Sequence, residues 1–320
     1  MSQAGPITKR ISDRVMRDLH RRAFERVSVG VKRLAPLSPG KTAFTVLSMV
    51  QPRDVLAYAL ALRSFSLHTS PARVVVICDP KMGPGDVALL KSSVPHIEIR
   101  RAEEFRHDTL PVGGTWERLT AITHYAAQGY VVQLDSDTLS LAALPEVQAA
   151  ISAGHAFVLG EEARQTVRTR EEAAQVWASN PPHSDLHVQA VSEYQLAHAQ
   201  VRGKFYVRGC AGFSGFPRSA GLLEKLVEFS SELRRLVGSR WDEWGSEQVA
   251  SNYLAANLPA CSVLPFPAYS TPDQLGRPGQ DDPRFVHFIG NMRFTTGRYS
   301  ESAARCLDLL KSAATQLSTP

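Results

Sequence analysis

The amino-acid sequence predicts an α/β protein with a mostly parallel, Rossmann-like central sheet and helices on both of its faces. Two observations carry this prediction. Between residues 42 and 135, short apolar runs rich in β-branched residues alternate with longer segments of helical periodicity, which is the pattern of a parallel sheet covered on both sides. Two of these runs also close on an aspartate, Asp79 and Asp135, and such sheets bind ligands beyond the carboxyl ends of their strands.

The strands and helices of this sheet follow one another in a regular order after the breaker "LSPGK". Proline and glycine interrupt regular structure, so a new unit begins where they cluster. Short runs rich in valine and isoleucine predict strands, whereas longer segments with apolar residues every three or four positions predict helices. On this basis strands are predicted at 42–50, 72–80, 97–103 and 130–135, and helices at 53–69, 83–94 and 115–129.

The first 40 residues form a predicted basic helical arm ahead of the sheet. Ile11, Val15, Leu19 and Val27 recur near helical spacing, and arginines occupy the other faces. Such a narrow apolar stripe predicts a helix that packs on the body of the protein. The alternative is a basic amphipathic helix that lies on an anionic membrane surface, which would give the protein a peripheral membrane contact.

Composition and charge argue against several classes of protein. The chain has 320 residues, of which 43% are hydrophobic and 21% charged, as is typical of a soluble globular protein. Its formal net charge of +5 is too small to indicate a nucleic-acid partner. Four widely spaced cysteines without a CxxC pair argue against a zinc site or a disulfide framework and favour a reducing, cytoplasmic location. No apolar run approaches the ~20 residues that span a bilayer.

Two aspartates one residue apart end the last predicted strand, in "GYVVQLDSDTLSL" from Gly129 to Leu141. One aspartate that holds a turn through its side chain is the simplest interpretation. Together, Asp135 and Asp137 offer two hard oxygen ligands to Mg²⁺ or Mn²⁺, ions that complete their coordination with substrate phosphates. A third interpretation is a phosphatase of the haloacid dehalogenase type with a nucleophilic first aspartate. In that motif a threonine stands four residues later, whereas Thr138 stands one residue too early.

A second motif stands near the C-terminus, where "RFVHFIGNMRF" contains the pattern HxxGxxR at His287, Gly290 and Arg293. An imidazole is a reasonable third metal ligand and favours Mn²⁺ over Mg²⁺. The glycine allows the backbone to approach a phosphate closely, and the arginine can hold a diphosphate oxygen. A lone histidine is more often a hydrogen-bonded core residue, but the neighbouring Gly290 and Arg293 favour the metal site here.

The order of these motifs resembles the glycosyltransferase family that includes glycogenin and the bacterial lipooligosaccharide galactosyltransferases (glycosyltransferase family 8), over Thr42 to about Arg298. The nucleoside-binding strand and helix of that family resemble "AFTVLSMVQPRDVLAYALALRSFSLHT", and its glycine-rich strand resembles "VRGCAGFSGFP". The family's DQxxxN motif becomes "EQVASN", and its HxxGxxK becomes HxxGxxR. The usual asparagine of the glycine-rich strand has no clear counterpart, and Arg208 or Cys210 stands near its place.

The resemblance implies the GT-A fold and a metal-dependent transfer of sugar from a nucleotide-diphosphate sugar. The implied donor is a UDP-sugar, and the implied outcome is retention of anomeric configuration. It implies a single GT-A domain at 41–320, with a donor half at about 41–160 and an acceptor half at about 161–300. Mn²⁺ or Mg²⁺ is the implied cofactor. The acceptor would be a glycan, a lipid-linked molecule or a protein, and nucleic acid is not expected as a partner.

The resemblance also assigns roles to individual residues. The implied metal ligands are Asp135, Asp137 and His287. The implied catalytic residues are Glu247, Gln248 and Arg293. Binding of the nucleotide sugar is assigned to Thr45, Ser48, Arg118, Asp135, Ser136, Gly290 and Arg293.

Three residues near the acceptor motif stay open to two interpretations. Trp241 and Trp244, in "SRWDEWGSEQ", either stack on sugar rings or belong to the core. Glu247 lies in the first turn of a predicted helix, where the helix dipole favours a carboxylate whether or not it faces a substrate. Because this glutamate replaces the family's aspartate, a catalytically silent sugar-nucleotide-binding homologue is an alternative to the enzyme, beside the phosphatase.

Overall fold

The computed structural model describes residues 6–160, 165–183, 185–272 and 282–317, and it has the predicted α/β architecture. The helices in these ranges are α1 (Pro6–Ser28), α2 (Val55–Thr69), α3 (Pro84–Ser93), α4 (Trp116–Ala126), α5 (Pro145–Ala153), α6 (Arg170–Gln175), α7 (Val188–Gln195), α8 (Leu222–Val237), α9 (Ser246–Ala256) and α10 (Arg298–Leu317). The strands are β1 (Thr42–Val50), β2 (Pro71–Cys78), β3 (Glu98–Arg101), β4 (Tyr130–Leu134), β5 (Thr138–Ser140), β6 (Phe157–Gly160), β7 (Arg168–Thr169), β8 (Phe205–Tyr206), β9 (Gly209–Phe216), β10 (Ser262–Val263), β11 (Tyr269–Ser270) and β12 (Phe285–His287). The strands and helices predicted between residues 42 and 135 are confirmed, with small shifts at their ends.

Within the described part of the chain, the central sheet has seven strands in the order β10-β6-β9-β4-β1-β2-β3. β1 pairs in parallel with β2 on one side and with β4 on the other, and β3 extends the parallel part beyond β2. β9 runs antiparallel between β4 and β6. The carboxyl ends of β1, β2 and β4 therefore meet at one edge of the sheet, which is where ligands of such sheets bind.

Helices cover both faces of this sheet, and neighbouring residues of one strand pack into opposite layers. On β1, Val46 belongs to the core that includes Tyr58 of α2, whereas Leu47 belongs to the core that includes Leu119 of α4. A strand alternates its side chains between the two faces. A sheet that is buried on both faces therefore requires the continuous apolar run seen in β1.

A second, three-stranded sheet in the order β11-β12-β5 brings the two sequence motifs together. β5 directly follows the two aspartates and pairs antiparallel with β12, so that Thr138 lies opposite His287. The main-chain N–H of Phe288 donates to the carbonyl oxygen of Asp137 at 2.8 Å. This pairing, rather than any local feature of the chain, places His287 beside Asp137.

The N-terminal helix α1 packs on the C-terminal helix α10 through its second half. Phe24 is buried and stacks on Tyr299 with ring centroids 3.9 Å apart. It also contacts Phe294, with centroids 6.0 Å apart and the ring planes tilted by 55°. Nδ1 of His20 lies 3.0 Å from the carbonyl oxygen of Phe294. The helix therefore braces the segment that follows the HxxGxxR motif.

The packing face of α1 differs from the predicted stripe. Val15 and Leu19 are 52% and 51% exposed, whereas Val27 is partly buried; the side chain of Ile11 lies outside the described residues. A helix turns by about 100° per residue, so Phe24 points about 140° away from Leu19 around the axis. The predicted stripe is wrong at Val15 and Leu19 because one large aromatic residue, placed off that stripe, sets the face that packs.

We expect Phe24→Ala to lower the free energy of unfolding by about 3 kcal/mol, because it removes a buried aromatic side chain and leaves a cavity between α1 and α10. Leu19→Ala, on the exposed face of the same helix, is the matched control and should change it by less than about 0.5 kcal/mol. Urea unfolding of both variants measures the difference. Equal effects of the two substitutions would show that α1 does not pack as described.

Candidate active site

The two aspartates stand in a tight turn between β4 and β5, at the carboxyl edge of the sheet. The main-chain N–H of Asp135 donates to the carbonyl oxygen of Gly212 on β9 at 2.9 Å. The hydroxyl of Thr138 donates to the carbonyl oxygen of Asp135 at 2.8 Å and closes the turn. The turn is therefore fixed without using either aspartate side chain, so both side chains remain available to the site.

Asp135, Asp137 and His287 form the one cluster among the described residues whose ligand atoms are grouped as a metal site requires, all within 4.8 Å of one another. Nε2 of His287 lies 3.0 Å from Oδ1 of Asp137 and 3.8 Å from Oδ2 of Asp135. Adjacent ligands of an octahedral ion bound at ~2.1 Å lie about 3 Å apart. The spacing and the set of two carboxylates and one imidazole therefore fit Mn²⁺ or Mg²⁺.

The imidazole of His287 is held on its other side by Cys210 of β9, whose Sγ lies 3.1 Å from Nδ1. Burial alone would lower the pKa of His287, but Cys210 and the Asp137 carboxylate raise the pKa well above its usual value. As an imidazolium it donates from Nε2 to Asp137, and Nε2 is also the atom that would bind a cation. Metal binding therefore competes with a proton at this nitrogen.

Two arginines neutralise the carboxylates of the site. Arg293 donates to Oδ2 of Asp137 at 2.6 Å and to Oδ1 of Asp54 at 2.7 Å. Arg118 pairs with Asp135, and its second nitrogen donates to Oε1 of Glu247 at 2.9 Å. Burial would lower the pKa of Arg118, but its two carboxylate partners raise it, so the guanidinium stays charged.

The start of α9 contributes the two residues of the predicted acceptor motif. Glu247 is buried, and it accepts a hydrogen bond from the hydroxyl of Thr115 at 2.8 Å in addition to its pair with Arg118. Burial raises the pKa of Glu247, although Arg118 acts in the opposite direction. Gln248 donates to Oε1 of Gln189 on α7 at 3.0 Å. Asn252, from the same motif, donates to the carbonyl oxygen of Gly209 and fixes α9 to β9.

A cleft of about 400 Å³ joins most of the predicted site residues. Its lining includes Arg118, Asp135, Ser136, Asp137, Glu247, Gln248, His287, Gly290 and Arg293. Thr45 and Ser48 do not line it: both are buried within β1, and the cleft receives Met49, Gln51, Arg53 and Asp54 from the end of that strand instead. The position of a residue along the strand decides this, because only its carboxyl end reaches the cleft.

Asp54 and Gln189 line the cleft beside the predicted residues but were not found by sequence reasoning. Asp54 shares Arg293 with Asp137, and its position just after β1 is the signal that could have revealed it. Gln189 links Gln248 to buried Glu193, which accepts from Gln189 Nε2 at 3.0 Å. Gln189 carries no local motif, so only the packing of α7 on α9 shows that it lines the cleft.

Comparison with known proteins shows the fold of this chain. No protein-family model matches the sequence, and no curated protein matches it. Among solved structures, the bifunctional glycosyltransferase WbbM has a TM-score of 0.52 and 15% identity, over 84% of this chain and 51% of its own. This chain thus spans about half the length of WbbM. The galactosyltransferase LgtC, as an active-site mutant, has a TM-score of 0.47 and 11% identity over 81% of this chain and 95% of its own. Mouse xyloside xylosyltransferase 1 has a TM-score of 0.45 and 14% identity, over 79% of this chain and 99% of its own.

The chain has the GT-A fold of glycosyltransferases. The likeness to WbbM is strong enough to establish the arrangement of the sheet and helices, at an identity that shows the fold alone. The phosphatase interpretation of the two aspartates finds no support in this match.

Gly212 offers a test of the geometry around His287. A Cβ placed on Gly212 would overlap the imidazole of His287, so Gly212→Ala should displace the ring. We expect Mn²⁺ affinity, measured by calorimetry, to fall at least about tenfold, the size of effect seen when the support of a metal ligand is lost.

Gly129→Ala is the matched control, since a Cβ there meets no atom within 4 Å. It should leave Mn²⁺ affinity unchanged. If Gly212→Ala folds normally by circular dichroism and binds Mn²⁺ as tightly as the parent, His287 is not a ligand.

Proposed function

We propose that this protein is a metal-dependent glycosyltransferase of the family 8 type, which transfers a sugar from a nucleotide-diphosphate sugar, with UDP as the nucleotide, to an acceptor hydroxyl. The observation that carries the proposal is the cluster of Asp135, Asp137 and His287 at the carboxyl edge of a GT-A sheet. Two carboxylates and an imidazole suit Mn²⁺ better than Mg²⁺. The bound ion would act as a Lewis acid on the two phosphates of the donor.

Arg293 is suited to hold the leaving diphosphate. It is shared between Asp137 and Asp54, so the protein compensates the Asp137 carboxylate with this guanidinium. If Asp137 bound a cation instead of Arg293, Asp54 could still hold Arg293 in the cleft. The guanidinium nitrogen released from Asp137 could then bind a phosphate oxygen. Its charge then stabilises the negative charge that develops as the diphosphate departs.

The environment of Glu247 is consistent with a retaining mechanism that uses no carboxylate nucleophile. Glu247 is engaged by Arg118 and Thr115, which leaves it poorly placed to attack an anomeric carbon. We infer a same-face displacement in which the bond from anomeric carbon to phosphate oxygen breaks, with its electron pair on the diphosphate. The acceptor oxygen forms the new bond, and its proton passes to the departing phosphate oxygen. Gln248, anchored by Gln189, would orient the donor sugar by hydrogen bonds.

The metal assignment predicts that Asp137→Asn removes metal-dependent nucleotide binding. The parent protein should be stabilised by UDP together with Mn²⁺, by about 2.7 kcal/mol at a ligand concentration of 100 times Kd. Thermal unfolding with UDP, GDP and ADP, each with Mn²⁺, Mg²⁺ or EDTA, measures this. The variant should lose the Mn²⁺-dependent shift, because it loses a charged ligand while the strand end tolerates the amide.

Asp79→Asn is the control, since Asp79 stands at the end of β2 but outside the cluster. Unaltered UDP and Mn²⁺ binding by Asp137→Asn would refute the metal site. Stabilisation without turnover of any UDP-sugar would identify the catalytically silent homologue, and release of phosphate from phosphomonoesters would identify the phosphatase.

We also propose that α1 contacts an anionic membrane surface. The helix carries seven basic and three acidic residues, a net charge of +4. Val15, Met16 and Leu19 are exposed along one side of it. No helix in the described ranges is long and apolar enough to cross a membrane. A basic helix with an unburied apolar side is typical of contact with anionic lipid. Phe294, which Phe24 contacts, directly follows Arg293 of the cleft.

For this surface we expect the double substitution Val15→Gln and Leu19→Gln to weaken co-sedimentation with phosphatidylserine-containing vesicles at least about tenfold, because it removes the apolar area that would insert. Both residues are exposed, so folding should be preserved. Vesicles of phosphatidylcholine alone are the control and should bind neither form. Equal sedimentation of parent and variant with anionic vesicles would exclude the proposed contact.

A further inference from the structure

Two tryptophans three residues apart have opposite environments in this structure. Trp241 is 0% exposed, and its indole N–H donates to the hydroxyl of Ser230 at 2.8 Å. Trp244 is 71% exposed, more than any other large apolar side chain that the structure describes. Trp241 is thus a core residue, whereas Trp244 presents most of its indole to solvent.

Trp244 lines the same cleft as the metal cluster. It belongs to the wall formed by the N-terminal ends of α7 and α9, together with His187, Gln189 and Gln248. The donor phosphates are expected at the metal cluster and the arginines, and the end of β1 supplies the nucleoside side. The α7–α9 wall is therefore the part of the cleft left for an acceptor.

The position of the Trp244 ring is fixed by its neighbours. Its ring contacts the imidazole of His187 edge to face, with centroids 5.5 Å apart and planes at 77°. Gly245 has a φ of +101°, and a Cβ at this position would overlap the His187 ring. Only glycine allows the chain to turn here while the two rings stay in contact, so the aromatic surface is pre-formed.

The hydrogen-bonding groups beside the indole suit a hydroxylated ligand. Nδ1 of His187 accepts from the main-chain N–H of Gln189 at 3.3 Å. A neutral imidazole that accepts at Nδ1 carries its proton on Nε2, so His187 offers a donor next to the indole face. Gln189 adds an amide group along the same wall, and Gln248, which would orient the donor sugar, borders it.

We propose that Trp244 and His187 form a carbohydrate-binding subsite, in which a sugar ring of the acceptor stacks on the indole. A pyranose presents C–H bonds on one face and hydroxyl groups around its edge, which matches a flat apolar surface bordered by donors. This inference rests on the proposed glycosyltransferase function and specifies its acceptor: a glycan, rather than a protein side chain or a lipid hydroxyl.

The first test is direct binding. Indole fluorescence of the protein is titrated with methyl α-glucopyranoside, methyl α-mannopyranoside, methyl β-galactopyranoside, maltose, cellobiose and lactose. We expect at least one sugar to shift or quench the emission of the parent and not that of Trp244→Phe, which keeps the other three tryptophans, two of them buried and Trp177 half-buried. If none of these sugars changes the emission of the parent, the subsite does not exist.

The second test separates acceptor from donor. For the sugar identified, Trp244→Ala should raise Kd roughly tenfold, the size of one good aromatic stacking contact, and Trp244→Phe should retain most of the affinity. Phe205→Ala is the control, because Phe205 is 45% exposed and lines a different cavity. The Kd for UDP with Mn²⁺ should stay within about twofold of the parent value in all three variants.

An equal loss of UDP affinity in Trp244→Ala would overturn the proposal, since the indole would then stack on the nucleobase. An equal loss of sugar affinity in Phe205→Ala would overturn it as well. Failure of the parent to bind UDP and Mn²⁺ would instead count against the proposed enzyme, and sugar binding at Trp244 can be observed whether or not that occurs.

Discussion

The buried carboxylates at the carboxyl edge of the sheet have to be neutralised, and much of the tertiary arrangement follows from how this is achieved. Asp54, Asp137 and Glu247 are almost fully removed from water. An unpaired charge in such a place is strongly destabilising. Arg118 ties α4 to α9 through Glu247, and Arg293 ties the C-terminal segment to the ends of β1 and β4. Two guanidinium groups thus connect parts of the chain that lie more than one hundred residues apart.

This arrangement is more readily explained by chemistry than by stability. Replacing buried ion pairs by apolar residues often leaves a protein equally stable, so the presence of four carboxylates and three arginines around one cleft indicates a ligand. Three side chains of the cleft, Asp135, Asp137 and His287, are grouped closely enough to hold a divalent cation, and under the proposed function the arginines would face the diphosphate of the donor. If Asp137 exchanged Arg293 for a cation, and Arg293 exchanged Asp137 for a phosphate, the charges would stay balanced without movement of the strands.

Two exposed features lie beside this charged centre, and both are apolar surfaces that folding does not bury. The outer side of α1 exposes Val15 and Leu19, although the same helix supports Phe294 through Phe24. Trp244 stands exposed on the α7–α9 wall, three residues from a tryptophan that is fully buried. Under the proposals made above, α1 would use its exposed side to contact anionic lipid and Trp244 would contact a sugar ring.

The sequence by itself determined the alternation of strands and helices up to Asp135, because apolar periodicity is a local property that sheet burial imposes directly. It also determined that Asp135, Asp137 and His287 are candidate ligands, since their motifs lie at strand ends. Only the tertiary structure decided that β5 pairs with β12 and so joins these residues, and which face of α1 packs. It also decided that Asp54 and Gln189 line the cleft, while Thr45 and Ser48 lie inside β1. It likewise showed that Trp241 is a core residue and that Trp244 is exposed. These outcomes depend on contacts between distant segments, whose register and helical phase no local pattern specifies.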